Sequence, residues 1–230
     1  MASRPRRLLA EFLGSLLLAT VVVGSGIAAQ QLSPGDRGLE LTENALATAL
    51  GLFGIIAAFA PISGAHLNPV ISLVDAALGR RSWRDAVSYI PVQIVGCIAG
   101  AILANLMFGR AVISISTTDR LTAAHFLSEI VATAGLVLIV FLLARTGQHR
   151  FTPAAVGAYI GAAYFFTSSA SFANPAITLG RMFSDTFAGI APRSVAGFIG
   201  AQLIGGALGL VLVRLLAPAP ITQSKEGTNQ

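Results

Sequence analysis

Long apolar stretches separated by short polar interruptions dominate the chain, at 8–29, 44–60, 83–108, 123–144, 152–170 and 194–216. Most approach the ~20 residues that a helix needs to cross a bilayer. The stretches 44–60 and 152–170 are the short ones, and each runs into an Asn-Pro pair. Two further apolar pieces, 68–78 and 174–184, follow those pairs. Eleven helical residues cover ~16 Å, about half a hydrocarbon core. The pattern predicts an all-α membrane protein with six transmembrane helices plus two re-entrant half helices.

The segments Gly64-Ala65-His66-Leu67-Asn68-Pro69-Val70 and Ser171-Phe172-Ala173-Asn174-Pro175-Ala176 carry the chemistry. Asn caps a helix N-terminus and Pro suits its first position. A helix that begins inside a membrane exposes unpaired N–H groups, which is tolerated only where backbone lines a water-filled cavity. Asn68 and Asn174 lie 106 positions apart. Two such starts at matching places point to a pore or a transport site.

The chain is internally duplicated. The run from Gln93 to Leu103 aligns without gaps on that from Gln202 to Leu212, and Glu11 of the first span has a counterpart in Glu129 of the fourth. Each half holds three spans, so the second is inverted relative to the first, a plan with its site near the midplane. One channel domain over 1–230 is expected. It comprises a first repeat (1–108), a connecting loop (109–122), a second repeat (123–216) and a cytoplasmic tail (217–230). Gly96/Gly100 and Gly205/Gly209 read as seams where helix backbones approach closely.

Composition agrees, with 54% hydrophobic and 11% charged residues. An even number of spans puts both termini on one side. That side carries Arg4, Arg6, Arg7, Arg80, Arg81, Arg84, Arg145, Arg150, Arg214 and Lys225. The other carries Arg37, Arg110, Arg120, Arg181 and Arg193. The richer side is the cytoplasmic one. Topology therefore accounts for the net charge of +5, and no nucleic-acid partner is expected. Arg4-Pro5-Arg6-Arg7 before an apolar run resembles a secretory signal, but the run is long and Glu11 interrupts it, so a retained first span is expected. Cys97, the single cysteine, reads as a small filler at a helix interface.

Glu11 and Glu129 admit two readings: a proton relay, or an acceptor anchoring the non-helical backbone before each half helix. Neither has a basic partner within its span, which favours the anchor. His125 and His149 fall at span ends. No His, Cys, Asp or Glu set has metal-ligand spacing, no Ser-His-Asp arrangement converges, and neither catalysis nor a cofactor is expected.

These residues resemble the major intrinsic protein family of aquaporins and glycerol facilitators. Ser63 to Pro69 is similar to the family's first signature and Asn174-Pro175-Ala176 to its second, and the similarity runs from Ala10-Glu11-Phe12 to the last span. The resemblance implies six helices around a pore, four pores in a homotetramer embedded in membrane lipid. It also implies His66 in the cytoplasmic half of each pore. Asn68, Pro69, Val70, Asn174, Pro175 and Ala176 would form the pore centre, with Val70 adding bulk there. Amide N–H groups of the two asparagines would donate to solute oxygens, and both helix N-termini would repel cations.

Counted from the motifs, the four filter positions of the family fall on Thr48, Ala162, Ser171 and Ile177. None is aromatic or histidine, and Ile177 takes the place of the usual arginine. The resemblance thus implies a wide, uncharged filter suited to polyols, urea or arsenous acid. The segment from Ile177 to Ile190 is similar to that of bacterial members associated with arsenic resistance. Arg181, one turn beyond Ile177, either carries positive charge to the pore mouth or pairs with loop carbonyls or Asp185. The expected partners are small neutral solutes and water, in an inner (cytoplasmic) membrane. An ordinary water channel and an ion-coupled secondary transporter remain the alternatives.

Overall fold

The computed structural model describes residues 2–217. The tail predicted over 217–230, including Lys225, lies outside the described residues except for Ala217. Helix α1 spans Arg4–Leu32, α2 Arg37–Ser63, α3 Pro69–Ala77 and α4 Trp83–Met107 in the first half. In the second half α5 spans Ala123–Arg145, α6 Thr152–Phe166, α7 Pro175–Gly180 and α8 Pro192–Leu216. Single 3₁₀ turns, His149–Phe151 and Arg181–Phe183, precede α6 and extend α7.

All six expected long helices and both half helices form, and among the described residues five of the long ones have the length and apolar character to span a bilayer. The exception is α6, whose 15 residues rise ~22 Å. It stops at Phe166, where the sequence pattern carried the helix to 170. The residues beyond turn instead: the Thr167 hydroxyl donates back to the Ala163 carbonyl at 2.6 Å, and Ala170 adopts a left-handed φ of 58°. The polar run Thr167-Ser168-Ser169, directly after Phe166, marks that end in the sequence.

Helix α1 packs along α4, α5 along α8, and α2 along α6, with the half helices enclosed between them. The first two seams rest on the repeated glycines. A Cβ on Gly96 would lie 2.5 Å from the Phe12 carbonyl oxygen, and one on Gly205 would lie 2.5 Å from that of Ile130. Only glycine lets the backbones approach this closely.

Candidate functional site

Each half helix begins at a capped asparagine. Asn68 Oδ1 accepts from the Val70 N–H at 2.9 Å. Asn174 Oδ1 accepts from the Ala176 N–H at 2.9 Å and the Ile177 N–H at 3.4 Å. The two asparagines also tie the halves together: Asn68 Nδ2 donates to the Ala173 carbonyl at 2.8 Å and Asn174 Nδ2 to the Leu67 carbonyl at 2.7 Å. One amide N–H of each side chain is thereby used. Both residues also line the central cavity.

The backbone before each cap is unusual. Gly64, Ala65 and Leu67 have positive φ, as do Ala170, Ser171 and Ala173 at the equivalent places. Left-handed non-glycine residues cost of order 1–3 kcal/mol each and persist only when their surroundings hold them. Here buried carboxylates hold them. Glu11 accepts from the Ser63 hydroxyl (2.6 Å), the N–H groups of His66 (3.0 Å) and Leu67 (2.7 Å), and Gln93 Nε2 (2.8 Å). Glu129 accepts from the Ser169 hydroxyl (2.6 Å), the N–H groups of Phe172 and Ala173 (both 2.9 Å), and Gln202 Nε2 (2.7 Å). In a planar trans peptide the N–H and C=O point in opposite directions. With those N–H groups turned to the glutamates, the carbonyls of Ala65, His66, Ser171 and Phe172 face the opposite way, toward the cavity those residues line.

The cavity measures about 240 Å³. Its remaining wall is largely apolar, with Leu18, Val22, Leu52 and Ile56 from α1 and α2, and Val156 and Ile160 from α6. At the end expected to be the inner one, His66 Nδ1 lies 3.0 Å from the Ser72 hydroxyl and Nε2 3.3 Å from Asp75 Oδ2. Asp75 also receives Arg80 Nε at 3.0 Å and Arg81 Nε at 3.3 Å. Arg81 in turn donates to the Ser63 carbonyl and the Tyr89 hydroxyl.

At the opposite end, expected to be the outer one, the counted positions divide. Thr48, Ser171 and Ile177 line the cavity, but Ala162 does not. Ala162 is exposed on the outside of α6. The α6 residue that reaches the lumen there is Tyr164, one of a row at helical spacing (Thr152, Val156, Ile160, Tyr164), and its hydroxyl lies 3.2 Å from that of Thr48. Arg181 also enters the cavity, 3% exposed, donating through Nε to the Ala188 carbonyl and stacking 3.5 Å over Phe172. Asp185 bonds instead to the Thr117 N–H at 2.9 Å. The outer end therefore holds an aromatic ring and a cation, contrary to the expected uncharged filter. Motif counting missed this because it fixes a rank in the sequence, while the side of α6 facing the lumen is set by helical phase.

Val70 is a second correction. It is buried outside the lumen and points at α8, where a Cβ on Gly206 would lie 2.5 Å from its Cγ1. In the duplicated register Ala176 replaces Val70 and Cys97 replaces Gly206. A large and a small residue thus exchange sides between the two halves. Pro69, Pro175 and Ala176 are likewise buried in the half-helix starts.

Gln93, Gln202 and Ser63, which with Ser169 complete the two glutamate clusters, carried no assignment from sequence, whereas Ser169 reads there as a backbone cap or a pore oxygen. Their signal was present: each pair occupies equivalent positions of the duplication.

The family described as Major intrinsic protein matches residues 2–173 of the chain. Aquaglyceroporin AqpS of Rhizobium meliloti (strain 1021) is 47% identical over 216 residues, covering 93% of this chain and 91% of that protein. Probable aquaporin TIP2-2 of Arabidopsis thaliana is 32% identical over 230 residues, covering 94% and 91%. The X-ray structure of the aquaglyceroporin from Plasmodium falciparum is similar in fold, with a TM-score of 0.69 at 22% identity over 93% of this chain and 95% of that one.

Proposed function

The chain belongs to the major intrinsic protein family, and from that membership we propose that it is a passive channel for small neutral solutes, polyols such as glycerol and metalloid hydroxides such as arsenous acid among them. The observation that carries this reading is the two-faced cavity. Asn68, Asn174 and the carbonyls before them form one edge, and Leu18, Val22, Leu52, Ile56 and Ile160 supply an aliphatic wall. A polyol or a trihydroxy acid presents hydroxyl groups to the polar edge while its other side lies against the aliphatic wall. Each water hydrogen bond it loses is replaced by one to the protein, which keeps passage shallow in energy.

In this reading Glu11 and Glu129 are anchors of the two cavity-lining loops, and the asparagines with their helix N-termini oppose cations at the centre. Thr48, Ser171 and Ile177 contribute to the outer constriction, with Tyr164 in the role first given to Ala162. His66 lines the inner half. The protein lies in the cytoplasmic membrane with both termini inside, as a homotetramer of single-pore chains built from repeats 1–108 and 123–216. One observation favours a second reading, an ordinary water channel: Tyr164 and Arg181 return an aromatic ring and a charge to the outer end, which narrows it.

Stopped-flow light scattering on liposomes containing the purified protein separates the two. Glycerol and arsenous acid fluxes well above those of empty liposomes, falling when Ile177→Arg adds a second guanidinium, are expected. Fast water flux with neither larger solute passing would overturn the solute reading in favour of the water channel.

A further inference from the structure

The Arg181 guanidinium is buried at the outer end of the cavity, the half-buried Arg120 lies outside the cavity lining, and among the described residues neither has a carboxylate within ion-pair distance. Arg181 uses only Nε, on the Ala188 carbonyl. Its two Nη groups make no hydrogen bond within the described chain, and the side chain lines the cavity. Arg120 donates Nε to the Gly189 carbonyl at 2.6 Å and Nη2 to the Phe187 carbonyl at 2.7 Å. Both cations sit over the same ring, Phe172, with Cζ at 3.5 and 5.5 Å from its centroid. The acids of this region are already committed: Glu129 to its four donors and Asp185 to Thr117. Burying an ion without a partner is strongly unfavourable, and a planar guanidinium with open donors matches an oxyanion in charge and geometry.

We propose that the outer end of the cavity is an anion site, in which Arg181 holds one small monovalent oxyanion with the hydroxyls of Tyr164 and Thr48 beside it. The Nη groups donate to two anion oxygens, and the paired Thr48 and Tyr164 hydroxyls supply a third contact. Arg120 lies farther out and adds long-range attraction. The occupied site lies in the path of neutral solutes, so the anion competes with them. Binding itself stands independently of the channel reading; the competition rests on it.

Methanesulfonate is a suitable probe, because it stays monoanionic and carries three oxygens. Calorimetric titration of the purified full chain in detergent is expected to show saturable binding. Arg181→Gln should weaken it at least roughly tenfold, as expected for a lost charge-assisted pair, and Tyr164→Phe should weaken it less. The neutral isostere methanesulfonamide should not bind the wild-type protein. That comparison needs no variant, so it decides the matter even if Arg181→Gln fails to fold. No binding of methanesulfonate, equal binding by Arg181→Gln, or equal binding of the sulfonamide would each overturn the site. In liposomes methanesulfonate should slow glycerol entry through the wild-type protein in a saturable way. If no glycerol enters at all, the channel reading falls while calorimetry still decides the anion site.

Discussion

At the scale of single residues, two buried carboxylates organise the site. Each accepts four hydrogen bonds, two from side chains and two from backbone in or beside left-handed positions. A glutamine in place of Glu129 accepts through one oxygen and presents an N–H₂ to the other donors. At least one backbone N–H is then left buried without a partner, and an unsatisfied buried group costs about 1–3 kcal/mol. Glu129→Gln is expected to destabilise the protein by about 1–3 kcal/mol, read as a lower unfolding midpoint in detergent, with reduced solute flux. A wild-type midpoint would show that the strained loop holds itself. Both glutamates were legible in the sequence because a carboxylate in an apolar span demands partners. The identity of those partners was not, since they come from segments 52 to 82 positions away for Glu11. Tyr164 was missed for a different reason: which side of α6 faces the cavity is set by helical phase, and counting from the Asn-Pro motif does not give that phase.

At the scale of elements, half helix α3 docks on α8 through Val70 and Gly206. Gly206→Ala inserts a methyl group where Val70 already lies, and overpacking of this kind costs about 1–3 kcal/mol. Val70→Ala alone leaves a cavity and is expected to cost about 2 kcal/mol without enlarging the lumen. The double variant should recover most of both losses, giving a coupling of at least about 1 kcal/mol in a thermal-unfolding cycle. Strict additivity would mean the two residues do not meet. The loop before α5 offers a pH-dependent counterpart. Asp119 is held below the usual carboxylate range, first by the Ser194 hydroxyl and then by the Leu121 N–H and Arg193. A depressed folded pKa adds stability above the unfolded value of 3.8, and that stability is lost as pH falls through the folded value. The Arg120 and Leu121 amides, which donate to Ser194 Oγ, should therefore lose exchange protection below roughly pH 4, and Asp119→Asn should flatten that dependence.

At the scale of the whole molecule, the inverted halves are bolted together at their centre. Asn68 reaches the Ala173 carbonyl and Asn174 the Leu67 carbonyl, while α2 packs along α6 across the halves. A secondary transporter needs one repeat to rock against the other around its site, and that motion would break both buried amide bonds at once. It would break two donor–acceptor pairs, at about 0.5–1.5 kcal/mol each. The duplication that suggested a transport plan in the sequence is therefore compatible with a fixed pore once the cross-links are seen. Solute movement should follow only its own gradient. Liposomes loaded with labelled glycerol should release it at the same rate with or without an imposed proton or sodium gradient, and should never accumulate it above the outside concentration. Accumulation driven by either ion gradient would mean that the halves move, and that Glu11 or Glu129 carries a proton rather than holding a loop.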